Sequence, residues 1–227
     1  MNADRVIVED GRDGAIQVRC PTPFIQINTA RQTSLRLNDP HYVFPEAPDL
    51  RAMTGTTVQL DFLREHLNGY CDLWRKPQKL FLDCYFDFIA EQVAGNNTAL
   101  ATALEQFGGL YDVRDWALSA PRPIPRALIL TAGSYTPVDF AFWFKGRIVV
   151  ALLVGTGTPT RADRARRSAL NGAGVEITDI SVQALQQDGP GHLIRAFPPG
   201  FTQFWAGEII PSSPFKGATL GEIIPAP

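Results

Sequence analysis

The residues best suited to chemistry in this sequence lie between residues 137 and 177. Asp139 stands at the start of a predicted strand, Lys145 lies in the turn after that strand, and Asp163 lies in the first turn of a predicted helix. Mg²⁺ prefers carboxylate oxygens, and a neighbouring lysine can position or activate the water that attacks a phosphate. Metal-assisted cleavage of a phosphate ester is the reaction that these residue types would serve, provided that the fold brings them together.

Short motifs in this region follow one another in a known order. The stretch Pro137–Phe140 (PVDF) begins one strand, the apolar run VVALLVG forms the next, and a helix follows with the pattern Asp-x-x-Arg-x-x-x-Leu-x-x-x-Gly. This order resembles the PD-(D/E)XK nuclease superfamily, and within it the endonuclease domains related to very-short-patch repair enzymes. The resemblance covers about residues 120–185. It implies an α/β, restriction-endonuclease-like core with a three-strand meander, a helix and a further strand. The residues that carry the helix pattern are Asp163, Arg166, Leu170 and Gly174.

The resemblance also implies a second acidic residue and a lysine on the strand after Asp139. Because side chains alternate along a strand, these two residues would align with Ala151 and Leu153 if Asp139 marks the catalytic face. Both positions are apolar. One carboxylate without the water-activating group is a poor Mg²⁺ site. Residue chemistry therefore predicts a vacated site with no cofactor.

Catalysis could instead have moved to other residues. Glu91 on the preceding helix, Asp163 on the following helix and Lys145 in the turn are the candidates for a relocated site with Asp139. Each also has a structural explanation: a solvated helix face for Glu91, a favourable helix N-terminus for Asp163 and an ordinary turn for Lys145. Mg²⁺ is expected as a cofactor only under this alternative.

The helix after the second strand carries the main basic cluster of the chain. Arg161, Arg164 and Arg167 are predicted to point outward, as candidates for contacts with nucleic acid or another anion. A solvated helix face is the competing interpretation, and the formal net charge of −2 favours it over strong phosphate binding. We therefore expect weak nucleic-acid binding at most. The side of the helix predicted to face the sheet consists of Ala162, Ala165, Ala169 and Ala173.

Arg166 is the arginine predicted to lie nearest the sheet, about 40° around the helix from Ala162. A buried, unpaired carboxylate is costly, so it should have a partner or a raised pKa. We therefore predict a structural ion pair between Arg166 and a carboxylate. Asp139 is the first choice of partner and Glu176 the second.

Other kinds of site find little support in the sequence. The loop Gly155–Thr160 lacks the third glycine of a dinucleotide-binding turn and the lysine of a nucleotide-phosphate loop. Three dispersed histidines do not suggest zinc, and three widely spaced cysteines suggest neither a disulfide framework nor a metal site. These residues are His41, His66, His192, Cys20, Cys71 and Cys84.

Hydrophobic periodicity predicts the elements around these residues. A β-hairpin and a further short strand occupy the N-terminus, and three helices follow. The second half of the chain then reads as three strands, a helix and a strand, which is typical of an α/β fold with an antiparallel meander. The predicted helices are 57–75, 77–95, 96–109 and 160–174, and the predicted strands after the first three helices are 127–130, 136–144, 147–154 and 175–180.

With 45% apolar and 19% charged residues, the 227-residue chain can bury a substantial core. We predict an N-terminal hairpin and irregular segment at 1–55, a helical block with the nuclease-like core at 56–185, and a Pro/Gly-rich extension packed on the core at 186–227. That extension contains the sequence GEIIP twice. No apolar run suits a signal peptide or a membrane span. A soluble cytoplasmic protein without a membrane partner is expected.

The sequence favours a catalytically degenerate nuclease-fold protein that acts as a binding or assembly module. Two alternatives stay open. One is a metal-dependent endonuclease or exonuclease with relocated active-site residues, and the other is an unrelated α+β structural protein. The partner and the oligomeric state, a homo-oligomer included, are not determined by the residues.

Overall fold

A computed structural model of the protein describes residues 7–10, 16–19, 24–27, 34–37, 53, 55–71, 76–105, 109, 111–198 and 201. None of the described helices is long and apolar enough to cross a membrane. The helices are α1 (Thr56–Gly69), α2 (Lys76–Gly95), α3 (Asn97–Leu104), α4 (Arg161–Gly172) and α5 (Val182–Ala196), with a 3-10 helix at Val113–Ser119. The strands are β1 (Ile7–Asp10), β2 (Ile16–Arg19), β3 (Phe24–Ile27), β4 (Ile124–Pro125), β5 (Leu128–Thr131), β6 (Ser134–Pro137), β7 (Phe140–Phe144), β8 (Arg147–Val154) and β9 (Glu176–Ser181).

The N-terminal strands belong to a five-stranded sheet with the order β3-β2-β1-β5-β6. Strands β1 and β2 pair antiparallel, and β3 pairs antiparallel with β2, so the predicted hairpin and third strand are confirmed. Strand β1 runs parallel to β5. The N-terminal strands and two strands from the second half of the chain therefore form one sheet.

A second sheet has the order β4-β7-β8-β9 and carries the candidate site. Strands β7 and β8 pair antiparallel around a turn at Lys145 and Gly146, whose φ angles of 48° and 75° are those a two-residue hairpin turn requires. Helix α4 then leads to β9, which runs parallel to β8. The predicted three-strand meander is wrong in its first strand, because β5 lies in the other sheet. The antiparallel pairing of its last two strands and the further strand that arrives through a helix are confirmed.

The single strand predicted at 136–144 is wrong in one respect. Strand β6 ends at Pro137 in the first sheet, and β7 begins at Phe140 in the second. Proline has no N–H to continue a strand ladder, and the chain changes sheets at this point. The two residues between the strands, Val138 and Asp139, therefore lie at the crossing between the sheets, where a side chain can meet groups from several elements.

Helix α2 packs its apolar face against the second sheet. The ring centroid of Phe81 lies 4.4 Å from that of Phe140, and the ring of Tyr85 lies 5.7 Å from that of Phe142. The buried Tyr85 hydroxyl donates to the carbonyl of Pro121 at 2.6 Å, which satisfies the polar atom in this apolar interface. The predicted amphipathic helix is confirmed. Its aromatic cluster is completed by Phe88, Phe197 and Phe201.

Helix α5 extends to Ala196, into the segment 186–227 that is predicted as a Pro/Gly-rich extension. The chain is non-helical at Asp188, with φ −154° and ψ 73°, and Pro190 lies inside the helix. A proline is compatible with the first turn of a helix, where its missing N–H has no helical partner. The Asp188 carboxylate accepts from the Gly191 amide at 3.1 Å. The helix therefore begins again after the kink at Asp188. The repeated GEIIP lies outside the described residues.

Two other helix ends differ from the predictions. Helix α1 ends at Gly69, six residues before the predicted end at residue 75 (75 − 69), and residues 72–75 lie outside the described ones. Helix α3 ends at Leu104 instead of residue 109. Asn96, the residue before α3, makes no side-chain cap hydrogen bond, and its side-chain amide donates to the carbonyl of Gln92 at 2.8 Å. Most of the predicted irregular segment 38–55 lies outside the described residues.

His66 on α1 makes the stability of the fold depend on pH. Its ring stacks on Phe62 at 5.5 Å and meets the edge of Tyr70 at 5.2 Å. Burial, and after it the charge of the buried Arg122, lowers the pKa of His66 from 6.5 to about 4. The folded state therefore binds fewer protons than the unfolded state between these values. The stabilising contribution is complete above pH 6.5 and is lost as the pH falls toward 4.

We expect replacement of His66 by glutamine to reduce this acid sensitivity. The full pKa difference corresponds to about 3 kcal/mol, and solvent screening of a half-buried ring lowers the expected contribution to about 1–2 kcal/mol. Urea denaturation at pH 7 and pH 4.5 measures the loss, with Ser168→Ala on the exposed side of α4 as the control. If His66→Gln and wild type lost the same free energy of unfolding between pH 7 and pH 4.5, the prediction would be contradicted.

Candidate functional site

Asp139 is held at the crossing between the two sheets by donors from a strand and a helix. The residue is buried, with 6% of its surface exposed. One carboxylate oxygen accepts the main-chain N–H of Leu153 on β8 at 3.0 Å, and the other accepts the side-chain amide of Gln78 on α2 at 3.3 Å. The expectation that this buried carboxylate keeps polar partners is confirmed.

A cavity of about 500 Å³ opens beside Asp139. Gly155 and Val182, which border it, directly follow the neighbouring parallel strands β8 and β9. The crevice outside the carboxyl ends of parallel strands is where open α/β sheets bind ligands. The other lining residues are Pro77, Gln78, Asp139, Leu153, Asp163 and Arg166.

Asp163 takes part in the N-terminal cap of α4 and also borders the cavity. The Thr160 hydroxyl accepts the Asp163 N–H at 3.1 Å, and an Asp163 oxygen accepts the Thr160 N–H at 3.0 Å. This reciprocal arrangement is a capping box with Thr160 as the N-cap of α4. The hydrogen bond from the Thr160 side chain is the largest effect that lowers the pKa of Asp163. The group that borders the cavity is thus an ionised carboxylate.

Arg166 pairs with a different carboxylate from the two predicted. Its terminal nitrogen lies 3.3 Å from Asp163, one turn earlier on the same helix. Asp139 has donors from β8 and α2 instead, and Glu176 pairs with Arg147 at 2.8 Å. Residues three apart on a helix are neighbours whatever the tertiary fold, which explains the correction. The Nε of Arg166 is buried and has no hydrogen-bond acceptor among the described residues.

The side of α4 that faces the protein also differs from the prediction. The buried residue of the helix is Leu170, whereas Ala162 and Ala165 are exposed. A leucine removes more apolar surface from water than an alanine, so its position orients the helix. Arg167 is half-buried on that side and binds Asp179 on β9 through two hydrogen bonds of 2.6 and 2.9 Å. The outward position predicted for Arg167 is therefore wrong, while Arg161 and Arg164 are exposed as predicted.

Two of the three residues proposed for a relocated site lie far from Asp139. Glu91 is exposed on α2, 13 residues after Gln78 (91 − 78), which is about 20 Å along the helix axis. Lys145 lies at the opposite end of β7, and an extended chain places it about 20 Å from Asp139. Asp163 alone of the three borders the cavity. Among the described residues, no group of three His, Cys, Asp or Glu is arranged to hold a metal ion.

The two positions that the resemblance assigns to catalytic side chains are apolar in the fold as well. Ala151 is completely buried and lies opposite Phe140 on β7. Leu153 is half-buried and contributes its main-chain N–H to Asp139. At position 153, Asp139 therefore meets an uncharged backbone donor.

Gln78 is the site residue that sequence reasoning missed. It lies in the first turn of α2 and is 3% exposed. The helical periodicity of the sequence could have identified Gln78. It lies on the same helix face as Phe81, Leu82 and Tyr85. A polar residue on an otherwise apolar buried face requires a hydrogen-bond partner. Here one partner is Asp139.

The cysteines and histidines do not form a site among the described residues. Burial raises the pKa of Cys71 to about 12 and also raises that of Cys84, so both thiols stay protonated and pack as small apolar groups. His66 lies on α1, and His192 on α5 accepts the main-chain N–H of Ser181 at 3.0 Å. Cys20 and His41 lie outside the described residues.

The geometry thus brings together Asp139, Asp163, Arg166 and Gln78 around one cavity. Comparison of the chain with protein-family models, with curated proteins and with solved structures found no match.

Proposed function

We propose that this protein is a nuclease-fold module that does not cleave nucleic acid and that acts by binding. The order of elements around the site supports the proposal. Helix α2 precedes an antiparallel set of three strands, β4, β7 and β8, and α4 then leads to the parallel strand β9. Asp139 directly precedes the second of these strands, as it does in the motif that the sequence resembles.

The contacts of the two carboxylates carry the proposal. A divalent ion held for catalysis needs carboxylate oxygens that face it, together with water and substrate oxygens. The oxygens of Asp139 accept from Leu153 and Gln78, and those of Asp163 accept from Thr160 and Arg166. The positive charge beside Asp163 is thus a guanidinium of the protein itself. This arrangement supports a polar binding cavity over a metal centre.

The activity assay that tests this proposal uses the purified chain with single- and double-stranded DNA and RNA in Mg²⁺ or Mn²⁺. We expect no cleavage, because the water-activating lysine is absent at position 153 and Lys145 lies at the far end of β7. Glu91→Gln, an exposed change away from the cavity, is the matched control. Metal-dependent cleavage that Asp139→Asn abolishes and Glu91→Gln retains would replace the proposal with an enzyme.

One observation favours a second candidate, a metal-dependent nuclease with a relocated site. Asp139 and Asp163 border the same cavity although they lie on different elements. If this candidate holds, Mn²⁺ binds the wild-type protein, and Asp139→Asn and Asp163→Asn each weaken that binding at least tenfold in calorimetric titrations. Under the leading proposal, wild type and both variants show equally weak Mn²⁺ binding.

Nucleic-acid binding through α4 is expected to be weak and strongly dependent on salt. Each phosphate contact contributes about −0.9 to the slope of log affinity against log salt for duplex DNA. Arg161 and Arg164 are exposed, whereas Arg167 is paired with Asp179. We therefore expect a slope no steeper than about −2 by fluorescence anisotropy.

The matched variants separate binding from stability on this helix. Combined replacement of Arg161 and Arg164 by alanine should remove the salt-dependent binding. Arg167→Ala should lower thermal stability instead, because it unpairs Asp179. Tight binding at physiological salt that survives all three replacements would place the interface elsewhere.

A further inference from the structure

A second and larger cleft, of about 600 Å³, lies between α1, α2 and the 3-10 helix. The α2 residues that line it, from Phe86 to Ala94, follow Gln78 by 8 to 16 residues (86 − 78 and 94 − 78). This separation is about 12 to 24 Å along the helix axis. The cleft is therefore a different site from the cavity at Asp139.

The interior of the cleft is apolar. Phe86, Val93 and Ala117 form buried parts of its lining, each less than one tenth exposed. Ala90 and Ala94 on the exposed side of α2 have short side chains, which leave room for a guest. A concave site of this volume with an apolar lining and a few polar groups is the usual form of a small-molecule site.

Charged groups in the lining of the cleft balance one another. Two arginines, Arg64 and Arg114, are accompanied there by two aspartates, Asp61 and Asp112. Arg114 lies 3.1 Å from Asp112, and the guanidinium of Arg64 lies 2.8 Å from Asp87. A charged ligand would have to compete with these pairs, so the lining favours an uncharged guest.

Arg64 also has a hydrogen-bond donor, Nε, without an acceptor among the described residues. Its guanidinium carbon lies 5.4 Å from the centre of the Phe86 ring, which holds the group against the apolar wall. The Nε of Arg64 is buried and makes no hydrogen bond within the described part of the chain. The Arg64 side chain is about one third exposed and lines the cleft, so its guanidinium can donate to an acceptor on a guest.

We infer that the cleft between α1, α2 and the 3-10 helix binds an uncharged, mostly apolar small molecule with one hydrogen-bond acceptor. The acceptor is a carbonyl oxygen or a ring nitrogen, and it accepts from the guanidinium of Arg64. The apolar part of the molecule contacts Phe86, Val93 and Ala117. This site does not depend on the function proposed for the cavity at Asp139.

Three probes of almost equal shape test the ligand class. Acetophenone carries a carbonyl, α-methylstyrene replaces that oxygen with a methylene group, and benzoate replaces the methyl ketone with an anionic carboxylate. Ligand-observed NMR titrations of the full chain give their affinities. We expect acetophenone to bind, benzoate to bind at least fivefold more weakly, and Ala94→Trp, an exposed substitution that fills the cleft, to abolish binding of all three.

The variant Arg64→Met tests the acceptor directly, because it keeps an unbranched side chain as far as the position of Nε and removes the guanidinium that donates. We expect it to weaken the binding of acetophenone about five- to tenfold, which corresponds to the usual contribution of one hydrogen bond. The affinity for α-methylstyrene should change by less than about twofold under the same principle. Circular dichroism verifies that both variants are folded.

The same measurements can overturn the inference. Stronger binding of benzoate than of acetophenone would indicate an anion site. If Arg64→Met weakened the binding of acetophenone and of α-methylstyrene equally, a hydrogen-bond acceptor on the guest would not contribute to binding. Binding that persists in Ala94→Trp, or no binding of any probe at millimolar concentration, would remove the cleft as a small-molecule site.

Discussion

Replacing Asp139 with alanine is expected to destabilise the fold by about 3 kcal/mol, because the change strands two buried donors. The Leu153 N–H at 3.0 Å and the Gln78 amide at 3.3 Å both lose their acceptor. Asp139→Asn keeps one acceptor oxygen in the same volume, so we expect it to cost only about 1 kcal/mol. Urea denaturation at neutral pH measures both values.

Two double-mutant cycles identify which partners of Asp139 contribute. Asp139→Ala and Gln78→Ala should be non-additive by at least about 0.5 kcal/mol, since the side chains share a hydrogen bond. Asp139→Ala and Arg166→Ala should be additive within the same margin, because Arg166 pairs with Asp163. Strong coupling between Asp139 and Arg166 together with none to Gln78 would restore the ion pair first expected from the sequence.

Replacing Gly189 with alanine is expected to destabilise the protein by about 3 kcal/mol, because α5 approaches α2 too closely there for a methyl group. A Cβ at this position would lie 2.4 Å from Cys84 Sγ and 3.0 Å from Cys84 Cβ. The Cys84 side chain is buried, so the helices themselves must separate. Urea denaturation gives the change in the free energy of unfolding.

Two variants show whether the clash is the cause. Gly172→Ala, at the end of α4, has no atom within 4 Å of its added Cβ and should be neutral or stabilising by about 0.5 kcal/mol. Cys84→Ala removes the nearest atom, so combining it with Gly189→Ala should cost less than the two separate losses added together. Wild-type stability of Gly189→Ala would show that the helices are not in close contact.

The site could be predicted from the sequence only in part. Asp139 and Asp163 were identified from their positions in short motifs, and both border one cavity. Gln78 was missed because it lies 61 residues from Asp139 in the chain, and nothing in the local pattern shows which polar group meets which. Glu91 was proposed from the correct helix, but about 20 Å too far along it.

What the sequence by itself determined are the features that depend on residues close together in the chain. The turn at Lys145 and Gly146 follows from the backbone conformations that glycine permits, and the Thr160–Asp163 cap follows from a spacing of three residues at a helix start. The antiparallel pair β7 and β8 and the crossover through α4 are local in the same sense.

Only the tertiary structure decided the transfer between sheets at Asp139, the side of α4 that is buried and the continuation of α5 beyond its kink. In each case contacts with a distant element determined the outcome. Leu170 rather than the alanines orients α4, because burying its larger side chain outweighs the alanine periodicity. Likewise, the donors of Asp139 come from β8 and α2, because a buried carboxylate binds whichever donors the assembled fold provides.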